Sequence, residues 1–285
     1  MSDEDISTES EIERATLAIR DADAFLITAG AGMGVDSGLP DFRGTVGFWK
    51  AYPAIAKLGL EFAEIANPEW FVKSPELAWA FYGHRLNLYR ATSPHSGFLQ
   101  LLRVAALKPH GYFVFTSNVD GHFQKAGFSS DRIVECHGSI HHFQCCVPCG
   151  EEVWDAAHER VIVDEERFQA MNPLPTCPKC SGLARPNVMM FGDGTWNSGR
   201  TRPQQLRLLD WLRSLKKLQA RVAVVEIGAG TEIPTVRFHS EEVAEKFGAS
   251  LVRINPREPQ GPEGTVGLRF NGAEAIQRIC GRLPN

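Results

Sequence analysis

The chain has 285 residues, 43% of them hydrophobic, and a formal net charge of −4, which is enough apolar material for one large domain or one domain with a small insert. The near-neutral balance has no basic stripe, which argues against nucleic acid as a main partner. The acidic start MSDEDISTESE is unlike a signal peptide and no apolar run is long enough to span a membrane, so a cytoplasmic protein with no membrane partner is expected.

Residues 1–10 read as a disordered acidic tail. From Glu11 to Arg20, Ile12, Ala15, Leu17, Ala18 and Ile19 recur at helical spacing. Ala24-Phe-Leu-Ile-Thr28 is a short apolar run that enters glycine-rich sequence, the pattern of a buried strand feeding a ligand loop. Residues 48–92 are rich in Trp, Phe, Leu and Ala and are punctuated by Asn67-Pro68 and Ser74-Pro75, which predicts two or three helices. Further buried strands are predicted at Gly111–Thr116, Arg132–Cys136, Arg221–Ile227 and Ser250–Ile254, with helical patterns around 96–108, 205–219 and 235–248. Strands alternating with helices indicate an α/β fold with a mostly parallel sheet. A cysteine-rich stretch with little apolar periodicity, roughly 140–185, interrupts it.

Ligands of open parallel sheets bind at the carboxyl ends of the strands. That rule gathers Gly30–Arg43, Ser117–Asp120, His137, Gly228–Gly230 and Asn255 at one edge. Gly30-Ala31-Gly32 suits close approach of a pyrophosphate to backbone amides. The spacing is G-x-G-x-G, and no clear acidic residue follows about 20 positions on, so a ligand-free turn competes with that reading. His137 beside Asn118 and Asp120 is a candidate general base, since an ordinary imidazole titrates near 6.5. The competing role is a histidine that merely satisfies a hydrogen bond. Tyr82 and Arg85, three apart, share one helical face.

There are seven cysteines, and five of them fall between Cys145 and Cys180. Cys146-Val-Pro-Cys149 and Cys177-Pro-Lys-Cys180 form two C-x₂-C pairs, the donor set of a closed structural Zn²⁺ site. A redox pair or free thiols are the alternatives, and Cys145 can replace Cys146 at the cost of ideal spacing.

The string GAGMGVDSGLPDFRG (residues 30–44) resembles the first signature of the sirtuins, NAD-dependent protein-lysine deacylases. Thr116-Ser-Asn-Val-Asp120 is similar to their Thr-Gln-Asn-Ile-Asp, and Glu135-Cys-His-Gly138 to their catalytic His-Gly. Two C-x₂-C pairs follow in the family's order, and then Arg185-Pro-Asn-Val-Met-Met-Phe-Gly192 resembles the segment that pairs with substrate peptide. The resemblance implies a Rossmann-like domain (11–47, 93–139, 186–285), a helical module (48–92) and a four-cysteine zinc-binding module (140–185), the last two forming a smaller inserted domain.

It also implies NAD and Zn²⁺ as cofactors and an acyl-lysine protein or peptide as substrate. Gly30, Ala31, Gly32, Asp41, Phe42, Arg43, Ser117, Asn118, Asp120, Gly228, Ala229, Gly230 and Asn255 would contact NAD. His137, Asn118 and Asp120 would be catalytic, and Val188, Phe191 and Gly192 would meet the peptide. In the implied reaction the acyl oxygen attacks the nicotinamide ribose, nicotinamide leaves, and His137 accepts a ribose hydroxyl proton. Lysine and O-acyl-ADP-ribose result. In sirtuins that remove succinyl, malonyl or glutaryl groups a Tyr-x-x-Arg pair holds the acyl carboxylate, a role open to Tyr82 and Arg85. The chain departs from the family pattern at Gly34 (usually Ser), Ser117 (usually Gln) and Gly228-Ala229-Gly230 (usually Gly-Thr-Ser). These departures keep ADP-ribosyl transfer or NAD hydrolysis as an alternative activity, with a non-catalytic NAD-sensing module as a third.

Overall fold

The computed structural model describes residues 3–40, 44–150 and 152–283. In chain order its strands are β1 (Ala24–Ala29), β2 (Tyr112–Thr116), β3 (Ile133–Glu135), β4 (Gly138–Cys145), β5 (Trp154–Asp155), β6 (Val163–Asp164), β7 (Gln169–Ala170), β8 (Ala184–Val188), β9 (Val222–Ile227), β10 (Ser250–Ile254) and β11 (Val266–Leu268). Six of them pair in the order β11-β10-β9-β1-β2-β3, all parallel. The chain runs outward from β1 to β3 on one side and from β9 to β11 on the other. The direction therefore reverses between β1 and β9, which opens a crevice at their carboxyl ends.

The continuous apolar runs follow from burial of both sheet faces. Phe25 and Ile27 of β1 point into a core shared with Ile12, Ile19, Phe98, Leu101 and Ile276. Ala24 and Leu26 point the other way, onto Leu208, Trp211, Leu215, Val236 and Val243. Helices Asp3–Asp21, Ser96–Ala106 and Gly272–Cys280 thus cover one face, and helices Thr201–Leu218 and Thr235–Phe247 the other.

A third core lies off the sheet. It joins Phe48, Tyr52, Phe71, Trp79 and Phe81 to Phe143 of β4 and Val188 of β8. Between Gly44 and Ala91 the described residues form not two or three helices but more: Gly44–Ala51, Pro53–Lys57, Phe62–Ile65, Trp70–Lys73 and Pro75–Ala91. The three in the middle have only four or five residues each, too short for a periodic signal. The cysteine-rich stretch is entered through β4, which pairs antiparallel with β5 and β8.

The first helix spans Asp3–Asp21, and Glu9 on it pairs with Arg282 at 2.6 Å. Strand β11 gives no periodic signal in the sequence because it has three residues with Gly267 in the middle; a Cβ there would stand 2.7 Å from the Pro259 carbonyl oxygen. Among the described residues no helix is long and apolar enough to cross a membrane.

Candidate active site

On the sheet side, the walls of the crevice are turns that follow strands. Gly30 leaves β1 and Gly228 leaves β9, and the two turns interlock: Gly30 N–H donates to the Ile227 carbonyl and Gly32 N–H to that of Gly228, both at 3.0 Å. A Cβ on Gly228 (φ +64°) would lie 2.5 Å from the backbone of Gly32 and Met33, and one on Gly30 would lie 2.7 Å from Ala229 Cα. These two glycines are therefore required by loop-to-loop packing, whatever ligand they cradle.

His95 holds the glycine-rich turn from behind. Its backbone N–H donates to Ser37 Oγ at 3.0 Å. Its Nδ1 accepts from Gly97 N–H, so the ring proton sits on Nε2, which donates to the Met33 carbonyl at 3.1 Å. Asn118 ties in the tip of β2, its Nδ2 donating to the Gly30 carbonyl at 2.9 Å.

His137 sits where β3 ends and β4 begins. Gly138 (φ +80°) makes that turn, and a Cβ there would stand 2.0 Å from the Asn187 carbonyl oxygen. Glycine thus lets β8 close in, and Met189 N–H reaches the His137 carbonyl at 2.9 Å. Burial lowers the His137 pKa below its ordinary value of 6.5, which favours the neutral ring a base needs. Asp120, in the turn after β2, is buried, and that burial raises its pKa. The His122 N–H, donating to Asp120 Oδ1 at 2.9 Å, opposes the shift, as do the charges of His141 and Arg85.

One cavity of about 860 Å³ unites these parts. Gly30, Ala31, Ser117, Asn118, Asp120, His137, Gly228, Ala229 and Gly230 line it, together with Tyr82, Arg85, Val188, Phe191 and Gly192. Gly32 and Asn255 are not in its wall. Asn255 is fully buried behind it, donating to the Ala229 carbonyl at 2.8 Å and accepting from the N–H groups of Arg257 and Glu258. Asp41, Phe42 and Arg43 lie outside the described residues.

Similarity to known proteins identifies the family. The family model described as "Sir2 family" matches residues 30–212. The chain belongs to the Sir2 family. A Thermococcus kodakarensis protein named NAD-dependent protein deacylase is 36% identical over 258 residues, covering 89% of this chain and 88% of its own. An Aquifex aeolicus protein of the same name is 31% identical over 233 residues, with 80% and 82% covered. The crystal structure of a Sir2 homologue–NAD complex shares the fold, with a TM-score of 0.67 at 23% identity, covering 94% of this chain and 92% of that one.

In this Sir2 chain the thiols that converge are Cys145, Cys149, Cys177 and Cys180, all within 4.8 Å of one another. Cys145 to Cys180 and Cys149 to Cys177 are each 3.6 Å, close to the ~3.8 Å edge of a tetrahedron with Zn–S bonds of about 2.3 Å. The donor set fits a structural Zn²⁺. Cys146, expected as a ligand from the two-residue spacing, is not among them. Neighbouring residues at a strand end face opposite ways. Cys145, last in β4, faces the cluster, while Cys146 packs against the apolar core and its N–H donates to the Leu183 carbonyl.

Three further wall residues of the Sir2 cavity, Tyr89, Arg257 and Glu258, belong to none of the sequence motifs above. Tyr89 completes the spacing 82, 85, 89 on one face of helix Pro75–Ala91, a pattern visible in the sequence. Glu258 follows β10 and accepts from the Thr231 hydroxyl at 2.5 Å, across from the turn after β9. No short motif marks it, because the turn after β10 brings it in.

Proposed function

We propose that this chain is a cytoplasmic NAD-dependent protein-lysine deacylase that favours acidic acyl groups. The observation that carries the reading is the shared cavity: interlocked glycine turns, a half-buried neutral imidazole and a buried guanidinium line one space. Its volume, about 860 Å³, is within the usual range for a small-molecule site. The turns at Gly30 and Gly228 would hold the pyrophosphate on backbone amides. Glu258 is the acidic group suited to a ribose hydroxyl, the role that a carboxylate plays in many dinucleotide sites.

NAD supplies an electrophilic ribose carbon with nicotinamide as its leaving group. The chain's own residues then position and move a proton. The neutral ring nitrogen of His137 accepts it from a ribose hydroxyl. Asn118 fixes the β2 tip against the glycine turn, and Leu39, Phe62 and Met190 keep the wall apolar and exclude water.

The acyl preference rests on helix Pro75–Ala91. Arg85 is 6% exposed, with the rings of Phe62, Phe81, Tyr82 and Tyr89 at 5.3–5.8 Å from its guanidinium carbon. Among the described residues the buried Tyr82 hydroxyl has no hydrogen-bond partner, which costs about 1–3 kcal/mol. A carboxylate at the end of an acyl chain would give the Tyr82 hydroxyl an acceptor and pair with the Arg85 guanidinium.

One observation favours a second reading, ADP-ribosyl transfer to protein or water. At Gly34 a Cβ would stand 3.0 Å from Leu39 Cδ1 and 3.6 Å from Asp120 Oδ2, so no side chain from that position reaches the buried carboxylate. Incubating the protein with NAD and a panel of acetyl- and succinyl-lysine peptides separates the two. Deacylation releases nicotinamide only when acyl-peptide is present. Release at the same rate without peptide favours the second reading.

A further inference from the structure

The hydroxyl of Tyr89 does one thing that packing alone does not require. It accepts from Arg85 Nε at 3.1 Å and from Arg85 Nη2 at 2.9 Å, so it clamps one edge of the guanidinium. Tyr89 is 4% exposed and lies in the wall of the same cavity. The helix that carries it is anchored by other residues. Asn87 Nδ2 donates to the Val161 carbonyl at 2.9 Å, and Arg90 donates to the carbonyls of Glu159 and Ala156 at 2.6 and 2.5 Å. The phenol oxygen is thus not needed to seat the helix.

An arginine side chain rotates about its last single bonds, and its affinity for a carboxylate depends on holding the planar fork in register. A clamp along the Nε edge fixes that plane before any ligand arrives. We propose that Tyr89 is a positioning residue for acidic-acyl recognition, orienting the Arg85 fork toward the carboxylate of a succinyl- or malonyl-type group. This rests on the acidic-acyl reading given above.

The test compares kcat/KM for succinyl- and acetyl-lysine peptides of one sequence, in wild type and in Tyr89→Phe. The succinyl-to-acetyl ratio is expected to fall about tenfold, mainly through KM for the succinyl peptide, as loss of a charge-assisted hydrogen bond predicts. A second variant with 4-aminophenylalanine at 89 keeps the shape and replaces the phenol oxygen with a weakly accepting amino nitrogen. It is expected to shift the ratio the same way by less, and it serves if Tyr89→Phe does not fold. A ratio within twofold of wild type, whether both rates fall or neither does, overturns the proposal. If wild type itself shows no preference for succinyl over acetyl, the acidic-acyl reading fails, and the role of Tyr89 with it.

Discussion

Among single residues, His137 carries the most consequence. Burial lowers its pKa, so the ring stays neutral further into the acid range than an exposed histidine would. A base works only while unprotonated, so deacylation falls as pH drops through the lowered value. The acid limb of the kcat/KM profile is therefore expected to turn over below pH ~6.5. A limb above that value would mean that another group controls the step. Asp120 is moved upward by its own burial, and an Asp120→Asn variant that leaves the limb in place assigns it to His137. The Arg185–Asp193 pair shows how a single contact shapes the neighbourhood. Both of its bonds measure 2.8 Å in a fully buried setting, and they fold the segment 189–193 back on β8, next to His137.

Among the structural elements, the zinc module gives the sharpest prediction. Four thiolates converging at the end of β4 would hold the metal, so removing one ligand loosens that end of the module, while removing a bystander does not. Cys145→Ser is expected to lose bound zinc, measured by atomic absorption, and to lower thermal stability. Cys146→Ser keeps the metal. The reverse outcome would restore the two-residue spacing and contradict the convergence of Cys145, Cys149, Cys177 and Cys180. The same module shows where sequence reasoning stops. The cysteines announced a metal site, but the choice between two adjacent thiols depends on which face of β4 points inward, and a pattern of spacings does not contain that. The buried strands were readable because both sheet faces are covered, which leaves uninterrupted apolar runs. The short helices between Pro53 and Lys73 and the three-residue β11 were not, because their ends are set by tertiary packing rather than by period.

Across the entire fold, one topological fact does the positioning. The order in which strands are added reverses between β1 and β9, and the turns that follow the strands there build the crevice. That is why residues as far apart in sequence as Gly30, Asn118, His137 and Gly228 were legible as neighbours: each stood just past an apolar run. Tyr82, Arg85 and Tyr89 come from the helical region instead, and Arg257 and Glu258 from a turn with no distinctive spacing. The approach of the helical residues depends on how the third core docks beside the sheet, which no local pattern encodes. Asp36, which accepts from Ala273 N–H at 2.7 Å, and His95 together hold the glycine turn against the helices of one face, so the crevice is built on rigid elements.

In the proposed reaction a dinucleotide and an acyl-lysine meet in this one cavity, with the reacting ribose at His137 and the acyl carboxylate at Arg85. A crystal structure of the protein with carba-NAD and a succinyl-lysine peptide would show whether they do. The expected result is a nicotinamide ribose within hydrogen-bonding reach of the His137 ring and a succinyl carboxylate on Arg85 and Tyr82. A ribose bound away from His137, or a succinyl group turned out of the cavity, would contradict it.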